Sequence, residues 1–191
     1  MFPLKNFSAR FQLGLLFVCI SLSGLTWAYA NSVDNSKSSI SIVFKQMEVP
    51  VPAKFKKFTA TIDYNSTKPE TSKATVELDM TSLELPAPEY NQEVLKKEWF
   101  NSAAFPRASF VSNKMSMTAP GKLDVTGNLT IKGKTVATSF SLLIKQEGKA
   151  TSFEGSLPIK RLMFNIGEGE WKDTSAVADE VIIKFKVVTN P

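Results

Sequence analysis

The stretch LDVTGNLTIKGKTVATSFSLLI, residues 123–144, decides the fold of this chain. Apolar side chains alternate with polar ones through residues 123–131, and the alternation resumes through residues 136–144. Such a period of two is typical of a strand with one buried face. Because Lys132-Gly133-Lys134 lies between the two runs as a short glycine-containing turn, the stretch predicts an antiparallel β-hairpin.

The same alternation recurs along most of the chain and predicts six further strands. These lie near residues 40–44, 58–64, 74–80, 108–112, 153–159 and 181–187. Most are joined by short turns, and eight up-and-down strands suit closure into a barrel, which removes exposed edges. The prediction is therefore an all-β fold: a single antiparallel, eight-stranded, lipocalin-like barrel forming one domain over residues 31–191.

Three segments interrupt the strand pattern. Residues 31–37 are polar and predict a loose leader, and Pro50 and Pro52 predict a corner between the first two strands. Residues 89–100 contain helix formers and place Val94, Leu95 and Trp99 at helical spacing. We therefore expect one short helix, which would lie across a barrel mouth.

The first 30 residues have the order of a secretory signal peptide. Lys5 and Arg10 precede an uncharged apolar stretch that ends at the small-residue site Ala28-Tyr29-Ala30. Cleavage after Ala30 predicts a periplasmic or secreted protein. A lipoprotein would need Cys19 as its acylated residue, but Val18 stands where such signals have a small residue.

The mature composition narrows the chemistry. Cleavage would remove Cys19, the single cysteine, and the sequence contains no histidine, which excludes disulfides and histidine-based catalysis or metal binding. The mature chain carries 21 basic and 18 acidic residues, a net charge of +3. So small an excess argues against nucleic acid as a partner.

Acidic residues cluster near the C-terminal end, at Glu168, Glu170, Asp173, Asp179 and Glu180. Their spacing does not match an EF-hand loop, and nothing in the pattern separates a general acid from a general base. We therefore predict no metal, no cofactor and no enzymatic activity. An enzyme acting on a lipid, with Glu170 or Asp173 as base, stays as an alternative.

Alternation alone does not show which parity faces inward. An outer-membrane barrel of eight strands would present its apolar parity to lipid, with aromatic residues at the strand ends. Here Phe44, Phe110 and Phe140 lie inside the strands, and the chain ends Thr189-Asn190-Pro191 rather than on an aromatic residue. A barrel with an apolar interior is the preferred interpretation, and the membrane barrel remains an alternative.

An ordered series of motifs resembles the YceI-like family of secreted bacterial proteins. The motifs are SSISIVFKQ (38–46), KFKKF (54–58), PETSKA (69–74), KEWFN (97–101), FPRASF (105–110), GNLTIKG (127–133) and IKRLMFNIGEGEW (159–171). The resemblance covers essentially the whole mature chain. It implies an extended lipocalin-like barrel that binds a polyisoprenoid, an isoprenoid quinone or an isoprenyl phosphate, in its interior.

The candidate ligand contacts are inward-parity residues of the strands together with four residues placed near the mouth. They are Ile42, Phe44, Val76, Leu78, Trp99, Phe100, Phe110, Leu129, Phe140, Leu142, Phe153, Leu157, Arg161, Trp171, Ile183 and Phe185. For each apolar residue, simple packing in the core is the alternative explanation. Arg161, with Lys160, is a candidate for a phosphate or a quinone carbonyl, because Arg offers a planar fork of donors. A homodimer and a transient contact with a membrane surface are left open.

Overall fold

A computed structural model describes residues 32–190 of the chain. The predicted signal peptide, its cleavage site after Ala30 and Cys19 lie outside the described residues. Within residues 32–190, no helix is long and apolar enough to span a membrane.

The described residues form one antiparallel sheet with short helical segments between some of its strands. The strands are β1 (Ser32–Val33), β2 (Ser39–Gln46), β3 (Val49–Phe55), β4 (Phe58–Asp63), β5 (Lys73–Asp79), β6 (Leu83–Glu84), β7 (Arg107–Ala119), β8 (Lys122–Ile131), β9 (Lys134–Glu147), β10 (Ala150–Lys160) and β11 (Val177–Asn190). A single α-helix in this part of the chain, α1, spans Tyr90–Glu93. Single 3₁₀ turns span Pro69–Thr71, Met80–Ser82, Arg161–Phe164 and Gly169–Lys172.

The hairpin predicted from residues 123–144 is confirmed as β8 and β9. Val125 pairs with Phe140 and Leu129 with Val136, so the apolar parity of both strands shares one face. Lys132 and Gly133 both have positive φ, 49° and 72°, as a two-residue turn of the primed type requires. The hairpin matches its prediction in both register and turn.

The predicted number of eight strands is wrong, since the sheet contains eleven. All eight predicted strands are present, and β1, β3 and β6 are additional. We had predicted a corner at Pro50 and Pro52, which instead lie within β3. That strand pairs with β2 along one side, while β6 meets its other side at Lys54 and Phe55. Proline is tolerated at these two positions because the side of β3 that faces away from β2 has no strand partner there.

The sheet curls into a half-barrel whose two ends are not joined by a ladder. Its strand order is β4-β5-β7-β8-β9-β10-β11-β2-β3-β6, with β1 paired to β11. The chain itself links the two ends at Lys56 and Lys57, between β3 and β4. Ser82 ties this link to the segment before β6: its carbonyl accepts from the Lys56 N–H at 3.1 Å, and its Oγ accepts from the Lys57 N–H at 3.0 Å. The predicted barrel would be closed by hydrogen bonding between its first and last strands, and this closure is therefore not observed.

The predicted helix over residues 89–100 is also wrong in extent, because α1 ends at Glu93. Beyond Glu93 the main chain forms irregular turns. Hydrogen bonds from the Phe100 N–H to the Val94 carbonyl and from the Ser102 N–H to the Leu95 carbonyl close these turns. The Glu98 carbonyl accepts instead from Gly167 and Glu168 at 2.8 and 2.9 Å. Tertiary hydrogen bonding therefore replaces the helical pattern that the local sequence favours.

The apolar parity faces the inside of the half-barrel. In β8 the inward side chains Leu123 and Val125 are 0% and 1% exposed, while Thr126 and Asn128 between the inward positions face solvent. This orientation is the one expected of a barrel with an apolar interior. It is the reverse of the lipid-facing arrangement of an outer-membrane barrel.

A carboxylate on the outer face joins three neighbouring strands. Glu154 of β10 accepts from Lys145 of β9 at 2.8 Å and from Lys186 of β11 at 2.9 Å. The hydrogen bonds from these two ammonium groups, Lys145 first, lower the pKa of Glu154 to about 2. This cluster holds the outside of the sheet in register opposite the apolar interior.

Candidate functional site

The interior of the half-barrel contains a cavity of about 650 Å³. It runs from an apolar inner end, where Leu123, Val125 and Phe153 are buried, to an open end beside the β2–β3 hairpin and α1. Its volume lies within the range of roughly 300–1,000 Å³ that is usual for small-molecule sites. The shape and lining are those of a binding site for an apolar ligand.

A cavity of this size is not an ordinary packing defect. Its wall is formed almost entirely by apolar side chains, so water inside would find few hydrogen-bond partners. Burial of apolar ligand surface is favourable by roughly 25 cal/mol per Å². An apolar molecule that displaces the water would therefore gain free energy on entering the cavity.

All sixteen residues predicted as ligand contacts line this cavity. The strand positions among them share the inward parity, and the mouth candidates Trp99, Phe100, Arg161 and Trp171 lie at its open end. The structure thus brings the whole set together around one space. Contact of any of them with a ligand stays a prediction.

Three phenylalanines form a connected cluster across the middle of the cavity. The Phe110 and Phe140 ring centroids are 5.5 Å apart, and those of Phe140 and Phe185 are 5.4 Å apart. Two glycines make room for the outer rings: a Cβ at Gly127 would overlap the Phe110 ring, and one at Gly155 would lie 2.6 Å from Phe185 Cζ. The absence of these side chains lets the rings lie against the sheet and shape the cavity wall.

Arg161 lines the open end but has no free donor. Its Nε donates to the Ala178 carbonyl, its Nη1 to Ile166 and Gly167, and its Nη2 to Trp171 and Val177, at 2.7–3.3 Å. Burial is the main cause that lowers the pKa of Arg161, while the charge of Asp179 acts in the opposite direction. The guanidinium therefore cross-links the loop over residues 165–171 to the start of β11.

Gly167 is required for this arrangement. Its φ is +80°, a region that favours glycine, and a Cβ there would collide with Nη1 of Arg161. The loop can therefore close over the guanidinium only with glycine at this position. The proposed contact of Arg161 with a phosphate is disfavoured, since main-chain oxygens already take all five N–H groups.

Two tryptophans form the wall next to Arg161. The Trp99 and Trp171 ring centroids are 5.2 Å apart, and Cζ of Arg161 lies 5.8 Å from the centre of the Trp99 ring. The indole N–H of Trp99 is buried and has no acceptor among residues 32–190. The prediction that Trp99 and Phe100 end a helix is wrong, because both lie in the turns that follow α1.

A buried lysine holds the tryptophan segment in place. The side chain of Lys132 is only 6% exposed, and its ammonium group donates to the Lys97 and Asn165 carbonyls at 2.7 Å and to the Glu168 carboxylate at 2.9 Å. The hydrogen bond from Lys132 is the main cause that lowers the pKa of Glu168. The β8–β9 turn thereby joins both sides of the open end.

Three of the five C-terminal acidic residues have partners in the local structure. Glu168 binds Lys132, Asp173 Oδ1 accepts from the Ser175 N–H at 2.9 Å, and Asp179 Oδ1 accepts from the Leu162 N–H at 3.0 Å. Within residues 32–190, the structure holds no group of three or more acidic, histidine or cysteine side chains that could ligate a metal ion.

The structure adds two kinds of lining residue that the sequence analysis missed. Ile62, Leu123 and Val125 at the inner end have the same parity as the predicted contacts, so the parity rule could have found them. Gln46, the last residue of β2, continues the inward parity of Ile42 and Phe44 but is polar, so hydrophobic alternation does not indicate it. Tyr90 lies in α1, outside the strand pattern.

Comparison with known proteins places this architecture in a defined family. The model of the YceI-like domain matches residues 32–189. A UPF0312 protein of Pseudomonas savastanoi pv. phaseolicola is 35% identical over 95 residues, 50% of this chain and 50% of that protein. The match therefore spans about half the length of each of the two proteins.

Solved structures share the fold over a larger part of the chain. Burkholderia cenocepacia BcnA is 44% identical with a TM-score of 0.80, over 82% of this chain and 99% of that one. A polyisoprenoid binding domain from Saccharophagus degradans, implicated in plant cell wall breakdown, has a TM-score of 0.67 over 84% of this chain and 98% of its own. Its identity is 15%, so this likeness concerns the fold alone. With the family match over nearly all described residues and the half-barrel that accompanies it, the chain belongs to the YceI-like family.

Proposed function

We propose that this protein is a non-enzymatic carrier that holds one polyisoprenoid lipid in the half-barrel cavity. The observation that carries the proposal is the apolar cavity of about 650 Å³, into which the inward parity of the strands projects. The description of the Saccharophagus degradans domain as polyisoprenoid-binding supports the same class of ligand. The predicted signal peptide supports a periplasmic or secreted location, and the proposal includes no cofactor.

The energetics of such binding follow from burial. Full burial of one isoprene unit of about five carbons gains at most roughly 3–4 kcal/mol, so a few units can offset the cost of association. The tail would be recognised by packing, without directional bonds. We therefore expect the site to tolerate some variation in chain length.

The β2–β3 hairpin supports a proposal for transient membrane contact. Met47 and Val49 at its tip are 74% and 62% exposed, and Val49 pairs with Gln46, which lines the open end of the cavity. Met47 has a φ of +47°, in the left-handed region that glycine and asparagine occupy more often than apolar residues do. Glu48, which pairs with Lys45, lies between these two residues, so we expect Met47 and Val49 to contact a bilayer surface while the lipid passes across.

Lipid extraction tests the carrier function. The purified chain is extracted with organic solvent, and the extract is analysed by mass spectrometry. We expect an isoprenoid lipid to be recovered, or to be taken up when an isoprenoid quinone is offered to the delipidated protein. A protein that yields no such lipid and binds none when it is offered would contradict the proposal.

A further inference from the structure

The cavity has a strong polarity gradient along its length. The inner end is lined by apolar side chains, including Ile62, Met115, Leu123, Phe153 and Val187. Apart from Ser109, the polar side chains of the lining are at the open end. A lipid inserted tail first would therefore leave its head group among those residues.

Among the cavity-lining residues that the structure describes, none offers a free cation to that head group. Arg161 is the one cationic residue of the described lining, and five main-chain carbonyls bind its five N–H groups. Lys96, nearby on the segment after α1, forms an ion pair with Glu93. Recognition of a phosphate relies on charge-assisted donors; the donors of Arg161 are all engaged, and the exposed Lys96 lies beside the carboxylate of Glu93.

The remaining polar groups at the open end are carboxylates and neutral donors. Glu89 and Glu93 line the cavity there, as do the amide of Gln46 and the hydroxyl of Tyr90. Glu89 repels a second anion, although its exposure to solvent weakens that repulsion, whereas an amide or hydroxyl can donate to a carbonyl or hydroxyl oxygen. The buried N–H of Trp99 is a further neutral donor at this end.

We infer that the site selects polyisoprenoids with an uncharged oxygen-bearing head, such as an alcohol or a quinone, and discriminates against polyisoprenyl phosphates. Glu89 is the residue that carries most of this discrimination, because Glu93 is already neutralised by Lys96. This inference rests on the proposed carrier function and specifies the chemical class of its ligand.

The test compares two lipids that differ in the head group alone, geranylgeraniol and geranylgeranyl phosphate, whose tails are short enough for the cavity of about 650 Å³. Each is offered in phosphatidylcholine vesicles to the wild-type chain, to Glu89→Lys and to the control Glu70→Lys, which makes the same charge change in the exposed turn between β4 and β5. The protein is separated from the vesicles, and bound lipid is quantified by mass spectrometry. Because both variants have the same net charge, differences in vesicle attraction cancel.

We expect the wild type to bind the alcohol in preference to the phosphate. Glu89→Lys should raise the phosphate-to-alcohol ratio about two- to fivefold, the scale of one exposed ion pair, while Glu70→Lys leaves it unchanged. A wild-type preference for the phosphate, or an equal ratio in all three chains, would overturn the inference and leave the carrier function standing. Failure of the wild type to bind either lipid, or the isoprenoid quinone, would count against the carrier function itself.

Discussion

Replacement of Arg161 by methionine would remove the hydrogen bonds that join the loop over residues 165–171 to the start of β11. Three of the five carbonyl bonds, to Ile166, Gly167 and Val177, are fully buried. A buried carbonyl left without a donor costs about 1–3 kcal/mol, so the three together would cost about 3–9 kcal/mol. Because water from the open end can reach part of the vacated space, we expect the lower part of that range, about 3–5 kcal/mol.

Urea denaturation followed by circular dichroism measures this loss as a lower midpoint with an unchanged slope. Arg107→Met is the matched control: Arg107 is 71% exposed and bonds to Glu77, so its loss should cost less than about 1 kcal/mol. Arg161→Lys, which keeps the charge but has fewer donors, should fall between the two and remains measurable if the methionine variant does not fold. A loss below about 1 kcal/mol for Arg161→Met would refute the structural assignment of the guanidinium.

Three further perturbations give separable outcomes. Glu154→Gln should lower the free energy of unfolding by about 1 kcal/mol at pH 7, after discount for solvent screening. The difference should disappear as the pH falls from 4.5 towards 2, because the ionised carboxylate stabilises the fold above the pKa of the unfolded chain and is lost below the pKa of the folded one. A pH-independent difference in urea titrations would contradict this prediction. The double variant Met47→Ser with Val49→Ser should slow lipid uptake from vesicles several-fold without changing the amount bound at equilibrium, and equal slowing by Leu143→Ser, exposed on the outer face, would count against the hairpin as the contact. Gly167→Ala should lower the melting temperature, since its Cβ collides with the guanidinium of Arg161, and an unchanged melting temperature would show that the loop closes without that contact.

Strand parity predicted the wall of the cavity better than it predicted the number of strands. Parity needs only the buried face of each strand, and Phe110, Phe140 and Phe185 follow it into the cavity. Strand number depends on partners: β3 was missed because Pro50 and Pro52 are poor strand residues in isolation. Their side of β3 lacks a ladder over most of its length, which is a property of the sheet and not of the local sequence.

The open end was the least predictable part of the site. Trp99 was expected at a helix end, but hydrogen bonds from Gly167 and Glu168 to the Glu98 carbonyl hold its segment in a non-helical course. The structure places Arg161 in the cavity lining, and its engagement by carbonyls depends on a loop that closes around it. Such long-range polar contacts leave no periodic trace in the sequence.

The volume of the interior also lies beyond what alternation can indicate. The same inward residues could fill a core or enclose a space, and the outcome depends on how tightly the sheet curls. Two glycines, Gly127 and Gly155, set part of that geometry by letting aromatic rings lie against the strands. Their effect becomes visible only when the neighbouring strands are in register.

Native mass spectrometry of the lipid-loaded chain tests most directly whether the cavity holds the ligand. Val76 faces the cavity beside the phenylalanine cluster, and Thr75 precedes it on the exposed face of β5. After incubation with an isoprenoid quinone, the wild type and Thr75→Trp should each show the added mass of one lipid per chain, and Val76→Trp should lose it while staying folded. No lipid adduct on the wild type, or an equal adduct on Val76→Trp, would contradict binding inside the half-barrel.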